Sequence, residues 1–244
     1  CPFDLLYVDD DGFPALRRAA KKHCIACGHC VTVCPRGALR LRLLPEGDTP
    51  DIDPALIPSP EQVEQFIKSR RSIRSFKKKP VPKKTMLRLL DTARYAPSAK
   101  NAQPVRWRVY NDPARIQELA GLVVAWMAEH RLYPGVVRAW ENGEDKVLRH
   151  APHLVLAYAP VDSADPAADC SIAATYLELA AHAHGIGACW AGFLMNAAER
   201  FEPVIRALNL PEGMRAYAAL MLGYPKFKYV RIPARNPLQV EFIG

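Results

Sequence analysis

Ser59-Pro60-Glu61-Gln62-Val63-Glu64-Gln65-Phe66-Ile67-Lys68-Ser69-Arg70-Arg71-Ser72-Ile73-Arg74-Ser75-Phe76 is the stretch on which the organisation of this chain turns. Ser59, Pro60 and Gln62 supply an N-cap, a first-turn proline and a capping-box partner, and Val63, Phe66 and Ile67 supply one apolar face, so a helix opens here. That helix delivers Arg70 and Arg71 at its end. Three guanidinium groups, from Arg70, Arg71 and Arg74, around the hydroxyl of Ser72 can bind a phosphate bidentately and leave one cation to face a ring system. Taken alone the run is weak, because arginines at a helix end more often satisfy the helix dipole or lie in solvent.

Toward the C-terminus, Met86, Leu87, Leu90 and Ala93 recur on a helical period over about residues 83–95, with Pro97 as a stop. Asp112-Pro113 starts a third helix, with Ile116, Leu119, Ala120 and Val123 facing inward. Aromatic or branched residues suggest strands at 107–110, 153–158, 189–194 and 216–222. An alanine-rich, low-charge helix over about 171–184 ends at Gly185 and reads as buried on most sides. Strands interleaved with helices at this length predict an α+β layer fold. Toward the N-terminus, Pro45, Pro50, Pro54, Pro58 and Pro60 favour an extended linker. The expected division is a small unit over residues 1–50, a linker over 51–60 and a larger domain over 61–244.

The 244 residues, half of them hydrophobic, suffice for that arrangement. No stretch approaches the roughly 20 uninterrupted apolar residues that cross a bilayer, and Cys1-Pro2-Phe3-Asp4 lacks the basic and apolar regions of a signal peptide. The expectation is a cytoplasmic protein with no membrane partner. The net charge of +8 is scattered, its densest cluster being Lys77-Lys78-Lys79 beside prolines. Without a basic stripe interleaved with aromatics, no nucleic-acid partner is expected; an anionic cofactor or an acidic redox partner would use the same surplus.

Five of the seven cysteines lie in the first 34 residues. A disulfide framework would spread them, so metal ligation in a reducing compartment is the reading. Cys24-Ile25-Ala26-Cys27-Gly28-His29-Cys30-Val31-Thr32-Val33-Cys34-Pro35 presents thiolates at the spacing that wraps a cubane iron–sulfur cluster. A structural zinc site would want two pairs separated by a dozen or more residues. The run resembles the bacterial two-cluster ferredoxins, and Cys1-Pro2 followed by Leu5-Leu6 parallels Cys34-Pro35 followed by Ala38-Leu39. The resemblance implies that the fourth cysteine of each motif serves the other cluster, so that Cys24, Cys27, Cys30 and Cys1 hold one 4Fe–4S cluster. Cys34 then belongs to a second cluster whose remaining ligands would lie upstream of residue 1, or, with a single cluster, is spare or stands in for Cys1.

Ala96-Pro97-Ser98-Ala99-Lys100-Asn101-Ala102-Gln103-Pro104 follows one helix after the arginine run. Gly185-Ile186-Gly187-Ala188-Cys189-Trp190-Ala191-Gly192-Phe193 follows the alanine-rich helix, and Gly223-Tyr224-Pro225 leads to Arg231-Ile232-Pro233-Ala234-Arg235. In this order, over about residues 61–244, the set resembles the FMN-dependent nitroreductase family. The resemblance implies a nitroreductase-like FMN-binding α/β layer fold and a homodimer with FMN at the subunit interface. Arg70, Arg71, Ser72 and Arg74 would hold phosphate, ribityl and pyrimidine edge, with Arg235 adding a phosphate contact and Arg231 a further one. Pro97, Ser98 and Asn101 would come from the partner subunit, and Gln103 would approach the ring. Trp190, Ala191 and Gly192 would lay their backbone along the flavin, where small residues permit close approach. Val105 stands where many members carry Trp, with Trp107 two positions on, so the shape of that loop is not carried over.

Gly185-Ile186-Gly187 lacks the third glycine and preceding strand of a dinucleotide fingerprint. His182 and His184, two apart, cannot share a helix face for one metal and read as satisfied or solvent-facing; Cys189 reads as a buried reduced thiol. The expected function is FMN-dependent reduction of a small organic acceptor such as a nitro compound or quinone, with NAD(P)H or ferredoxin as donor and electrons exchanged through the cluster. Because the flavin carries the chemistry, no catalytic side chain is named. The alternative is an electron-transfer or flavin-binding subunit that docks on another redox enzyme.

Overall fold

The computed structural model of the chain describes residues 1–41 and 49–244. At the N-terminus a hairpin of β1 (Leu6–Val8) and β2 (Pro14–Leu16) pairs antiparallel, from Leu6 opposite Leu16 to Val8 opposite Pro14. The short helices α1 (Ala20–His23) and α2 (His29–Thr32) follow. Among the described residues of this unit Leu5 and Ala20 are the buried apolar side chains, few for some 40 residues without a further tether. Of the expected proline linker, Pro45 lies outside the described residues. The segment after it carries a 3-10 turn, Pro54–Leu56, capped by the Asp53 side chain, which accepts from Ala55 N–H at 2.9 Å.

The capping box read from Ser59 is present in full on α3 (Pro60–Ser69): Ser59 Oγ accepts from Gln62 N–H at 3.3 Å and Gln62 Oε1 from Ser59 N–H at 2.8 Å. Next come α4 (Lys83–Ala93), β3 (Arg106–Tyr110), α5 (Pro113–Glu129) and α6 (Pro134–Glu141). They are followed by β4 (His153–Pro160), α7 (Pro166–Ala183), β5 (Gly187–Trp190), α8 (Gly192–Ala198), α9 (Glu202–Leu208) and β6 (Met214–Gly223). Helices α3, α5, α6 and α7 each begin on a proline, where the missing N–H would have gone unpaired anyway.

Strands β3 to β6 form one antiparallel sheet in the order β3-β4-β6-β5. Alternation along each strand sorts its side chains between two cores. Leu154, Leu156, Ala219 and Met221 point to the face covered by α5, α8 and α9; Val155, Ala157, Ala218, Leu220 and Leu222 point to the face covered by α4 and α7. The fold is α+β in helix–sheet–helix layers, as the sequence predicts. Helix α7 packs against α4, β4, β5 and β6 and buries Cys170, Ala173, Ala174, Leu177 and Ala181, which accounts for its lack of a polar stripe.

Two expectations shift. The strand expected over 189–194 stops at Trp190 and turns into α8 at Gly192; between them Ala191 N–H still donates to the Ala219 carbonyl of β6 at 2.9 Å, in register with the β5–β6 pairing. Helix α7 starts five residues before Ser171, where Asp165 accepts from Ala168 N–H at 3.1 Å and Pro166 sets the first turn.

His153, which opens β4, is 3 % exposed; its Nε2 accepts from Val81 N–H at 2.7 Å and its Nδ1 lies 2.7 Å from Asn111 Oδ1. Accepting at Nε2 requires the neutral ring, and burial holds its pKa below the usual value of 6.5. A depressed histidine pKa means that the unfolded chain binds the extra proton, so this contribution is complete above about pH 6.5 and is lost as pH falls below it. Thermal unfolding followed from pH 7.5 to 5 should show a falling midpoint, and His153→Gln should flatten that slope.

Candidate functional site

Leaving α3, the chain runs beside the sheet edge. Ser72 forms a parallel bridge with Ala188, Ile73 N–H donates to the Ala188 carbonyl at 2.9 Å, and Lys77 N–H donates to the Tyr224 carbonyl at 2.8 Å. This approach depends on Gly187: a Cβ there would lie 2.5 Å from Cγ1 and 2.7 Å from Cβ of Ile73. Gly187→Ala should therefore destabilise the protein by about 1–3 kcal/mol through overpacking and loosen the Ser72–Ile73 segment; denaturant melts together with retention of the bound cofactor on gel filtration measure both effects.

Where α3, α7, β5 and the stretch after β6 meet lies a cavity of about 330 Å³, lined by Ser69, Arg70, Arg71, Glu178, His182, residues 185–188, Lys228 and Tyr229 among others. That volume is within the roughly 300–1,000 Å³ of small-ligand clefts. Arg70 Nη1 pairs with Glu178 Oε1 at 2.8 Å, so one cation is already balanced. Arg71 and Lys228 make no ion pair among the described residues, which leaves their charge facing the cavity. His182 Nε2 lies 3.0 Å from Ser69 Oγ and its ring centroid 4.9 Å from that of Phe66. Burial, and then the Arg70 cation, hold its imidazole below the usual pKa, against the raising influence of the Phe66 backbone and Glu178. A lining that combines Arg71 and Lys228, the hydroxyls of Ser69 and Tyr229 and the small residues Gly187 and Ala188 suits a molecule with a phosphate terminus and a flat body. The donor set fits FMN.

The other expected residues are not among those that line this cavity. Arg74 is exposed, Trp190 is 42 % exposed, Ala191 is buried, and Arg231 and Arg235 are exposed on the C-terminal stretch. Pro97, Ser98, Asn101 and Gln103 form a loop in which Lys100, Asn101 and Gln103 all have positive φ, at 54°, 53° and 48°. Such backbone is costly for residues with a Cβ and persists where surroundings over-determine it. Ser98 Oγ accepts from Gln103 N–H at 2.9 Å, and Ala99 N–H donates to Asp169 Oδ1 at 2.8 Å. Asp169 is 3 % exposed and its Oδ2 has no hydrogen-bond partner among the described residues. The loop is thus tied to the N-terminal end of α7, whereas the cavity is tied through Glu178 and His182 to its C-terminal half. At about 1.5 Å per residue, these anchors are about 14 to 20 Å apart along the helix.

The cysteines of the N-terminal unit fall in two places. Cys1, Cys24, Cys27 and Cys30 line a second cavity, of about 50 Å³, with Leu5, Leu6, Leu16, Ala20 and Leu41 around them. Gly28, at φ 77°, turns the chain between Cys27 and Cys30. Cys34 is not among the lining residues; its Sγ accepts from Ala38 N–H at 3.3 Å. The backbone N–H groups of Arg36, Ala38 and Leu39 hold its thiol below the usual range. Among the described residues no three His, Cys, Asp or Glu side chains converge as they would on a single metal ion, whose tetrahedral thiolates would stand about 3.8 Å apart for a 2.3 Å bond. Four cysteines lining one cavity are the donor set that a 4Fe–4S cluster takes.

Asn101 ties its loop to the cysteine site, since its Nδ2 donates to the carbonyls of Ile25 and Ala26, at 3.2 and 3.1 Å, inside the Cys24–Cys27 segment. Ala26 itself has φ 51°. Sequence reasoning missed this contact, which spans 75 residues and leaves no local pattern. It also missed Glu178, although a lone carboxylate in the otherwise uncharged run from Ser171 to His184 was a usable signal. His182 is satisfied, as expected, but on the wall of the cavity.

Residues 67–224 match the profile of the nitroreductase family, and residues 21–40 match that of the 4Fe-4S binding domain. YfhC of Bacillus subtilis is 29 % identical over 198 residues, covering 76 % of this chain and 98 % of that protein. The nitroreductase NfnB of Mycolicibacterium smegmatis is 29 % identical over 216 residues, covering 74 % and 87 %. The crystal structure of a nitroreductase with bound FMN from Bacteroides fragilis superposes with a TM-score of 0.61 at 25 % identity, over 74 % of this chain and 99 % of that one.

Proposed function

The chain belongs to the nitroreductase family, and on that premise we propose that it is an FMN-dependent oxidoreductase that reduces a small organic acceptor, such as a nitroaromatic or a quinone, and exchanges electrons through its own 4Fe–4S cluster. The observation that supports this reading is the coexistence in one chain of a cationic cavity beside Arg71 and a four-cysteine cavity around Cys27. Bound FMN supplies two-electron chemistry toward a nicotinamide or an organic acceptor, and the cluster supplies single electrons.

The protein's part is placement. Arg71 and Lys228 neutralise the flavin phosphate, with Arg70 held in place by Glu178; Ser72 is fixed beside Ala188 for the ribityl chain; Gly187 lets that segment close on the sheet edge. Ala191 N–H is already used by Ala219, which leaves Gly192, in the unpaired first turn of α8, as the main-chain donor available to the ring. Cys1, Cys24, Cys27 and Cys30 hold the cluster, and the division into an iron–sulfur unit over 1–50, a linker over 51–60 and a flavin domain over 61–244 follows from these two sites.

A homodimer completes the flavin site. In one chain the Ser98–Gln103 loop is anchored at the start of α7 and the cavity near its end, about 14 to 20 Å along the helix, which favours a flavin gripped by the cavity of one copy and the loop of another. The C-terminal stretch agrees: it carries Leu238, Val240, Phe242 and Ile243, the last two 91 % and 90 % exposed, a run of apolar side chains that a neighbouring subunit would cover. No helix among the described residues is long and apolar enough to cross a membrane.

The test is anaerobic. Purified protein should carry FMN and iron, and NADH, NADPH or reduced ferredoxin should bleach the flavin, which nitroaromatics and quinones should then reoxidise. Preparations devoid of both chromophores sink the proposal; bleaching followed by reoxidation only by proteins would mark the chain as an electron carrier.

A further inference from the structure

We propose that each iron–sulfur cluster serves the flavin held in the cavity of the other subunit, with Asn101 as the positioning residue that sets this cross-subunit path. The inference rests on the dimeric flavin site proposed above and goes beyond it.

The argument is one of reach. Asn101 binds the cluster segment at Ile25 and Ala26 of its own chain. The same loop is anchored by Ala99 to Asp169 at the start of α7, whereas Glu178 and His182 place the chain's own cavity nine to thirteen residues further along that helix. A cluster seated around Cys27 is therefore distant from the cavity of its own chain. In a two-fold dimer any contact of one chain's loop with the other's cavity is repeated in reverse, so the loop that reaches across carries the cluster segment with it. The left-handed backbone at Ala26, Lys100, Asn101 and Gln103 marks both sides of this joint as held against their local preference.

Each transfer removes one electron from a reduced cluster and gives it to the flavin in the partner's cavity. Two transfers and two protons from solvent complete the flavin's reduction, and an iron–sulfur protein acting as a one-electron donor recharges the cluster.

The test uses two heterodimers that carry the same two changes. In one, Cys27→Ala and Arg71→Glu lie in different chains; in the other, both lie in the same chain opposite an unaltered one. FMN and iron are counted for each, and flavin bleaching by reduced ferredoxin is followed by stopped flow. Each should hold one FMN per dimer. With the changes in different chains, the intact cavity faces an intact cluster, and its flavin should bleach at the wild-type rate. With both in one chain, the intact cavity faces the ablated cluster, and bleaching should be at least tenfold slower. The reverse order, equal rates, or bleaching in neither overturns the inference while leaving the dimeric flavin site standing. A wild-type protein that holds FMN as a monomer, or an Arg71→Glu chain that keeps its FMN, overturns the flavin-site reading and this inference with it.

Discussion

Arg71→Glu should release the flavin. Of the cations around the 330 Å³ cavity, Arg70 is balanced by Glu178 at 2.8 Å, whereas Arg71 makes no ion pair among the described residues. A phosphate there would meet Arg71 through charge-assisted hydrogen bonds worth about 1.5–3 kcal/mol, and reversing the charge replaces that attraction with repulsion. FMN affinity should fall by about 100-fold or more, since 1.4 kcal/mol is a factor of ten. Fluorescence titration of the deflavinated protein measures it. Arg70→Ala is the comparison: its loss leaves the Glu178 carboxylate facing the phosphate, so Arg70→Ala should weaken binding strongly and the Arg70→Ala, Glu178→Gln pair should recover part of that loss. If Arg71→Glu binds FMN as the wild type does, the cavity is not the phosphate site.

The second large effect separates the cysteines. Cys27→Ala should abolish the cluster, with bound iron falling from about four per chain to near zero, because a cubane held by Cys1, Cys24, Cys27 and Cys30 loses one of its four ligands and the cavity offers no other cysteine in its lining to replace it. Cys34→Ala should leave that iron in place, since Cys34 is absent from the cavity wall and turned toward backbone N–H groups of the loop after it. Iron analysis with electron paramagnetic resonance after reduction distinguishes them. Loss of the signal in Cys34→Ala with its survival in Cys1→Ala would reverse the ligand assignment. The apolar contacts of the N-terminal unit are few, so Cys27→Ala should also make the first 40 residues the earliest site of proteolysis.

Much of this was readable before the fold. The capping box at Ser59 and Gln62 is a local device, complete within four residues, and it formed as written. The four central strands and the buried character of α7 follow from short-range apolar patterning, and the likeness of Cys1-Pro2 to Cys34-Pro35 was enough to place Cys1 beside Cys24, Cys27 and Cys30. What escaped depends on partners far along the chain. The strand at Cys189 gives way to α8 at Gly192 after Ala191 has closed the pairing with Ala219 of β6, a partner far along the chain. Arg70 meets Glu178 and Asn101 meets Ile25 through packing alone. Of the arginines expected at the flavin, Arg70 and Arg71 line the cavity, whereas Arg231 and Arg235 lie beyond Lys228 and Tyr229 on the C-terminal stretch and are not among its lining residues.

The prolines that open α3, α5, α6 and α7 bear on a state of the molecule in which none of these contacts exists. Pro60, Pro113, Pro134 and Pro166 fix φ near the helical value whether the chain is folded or not, so they narrow the denatured ensemble before folding begins. Part of this protein's resistance to heat accordingly resides in the disorder that the unfolded chain is denied. Exchanging any of the four for alanine would remove about 0.4–1 kcal/mol of stability while leaving both redox sites untouched.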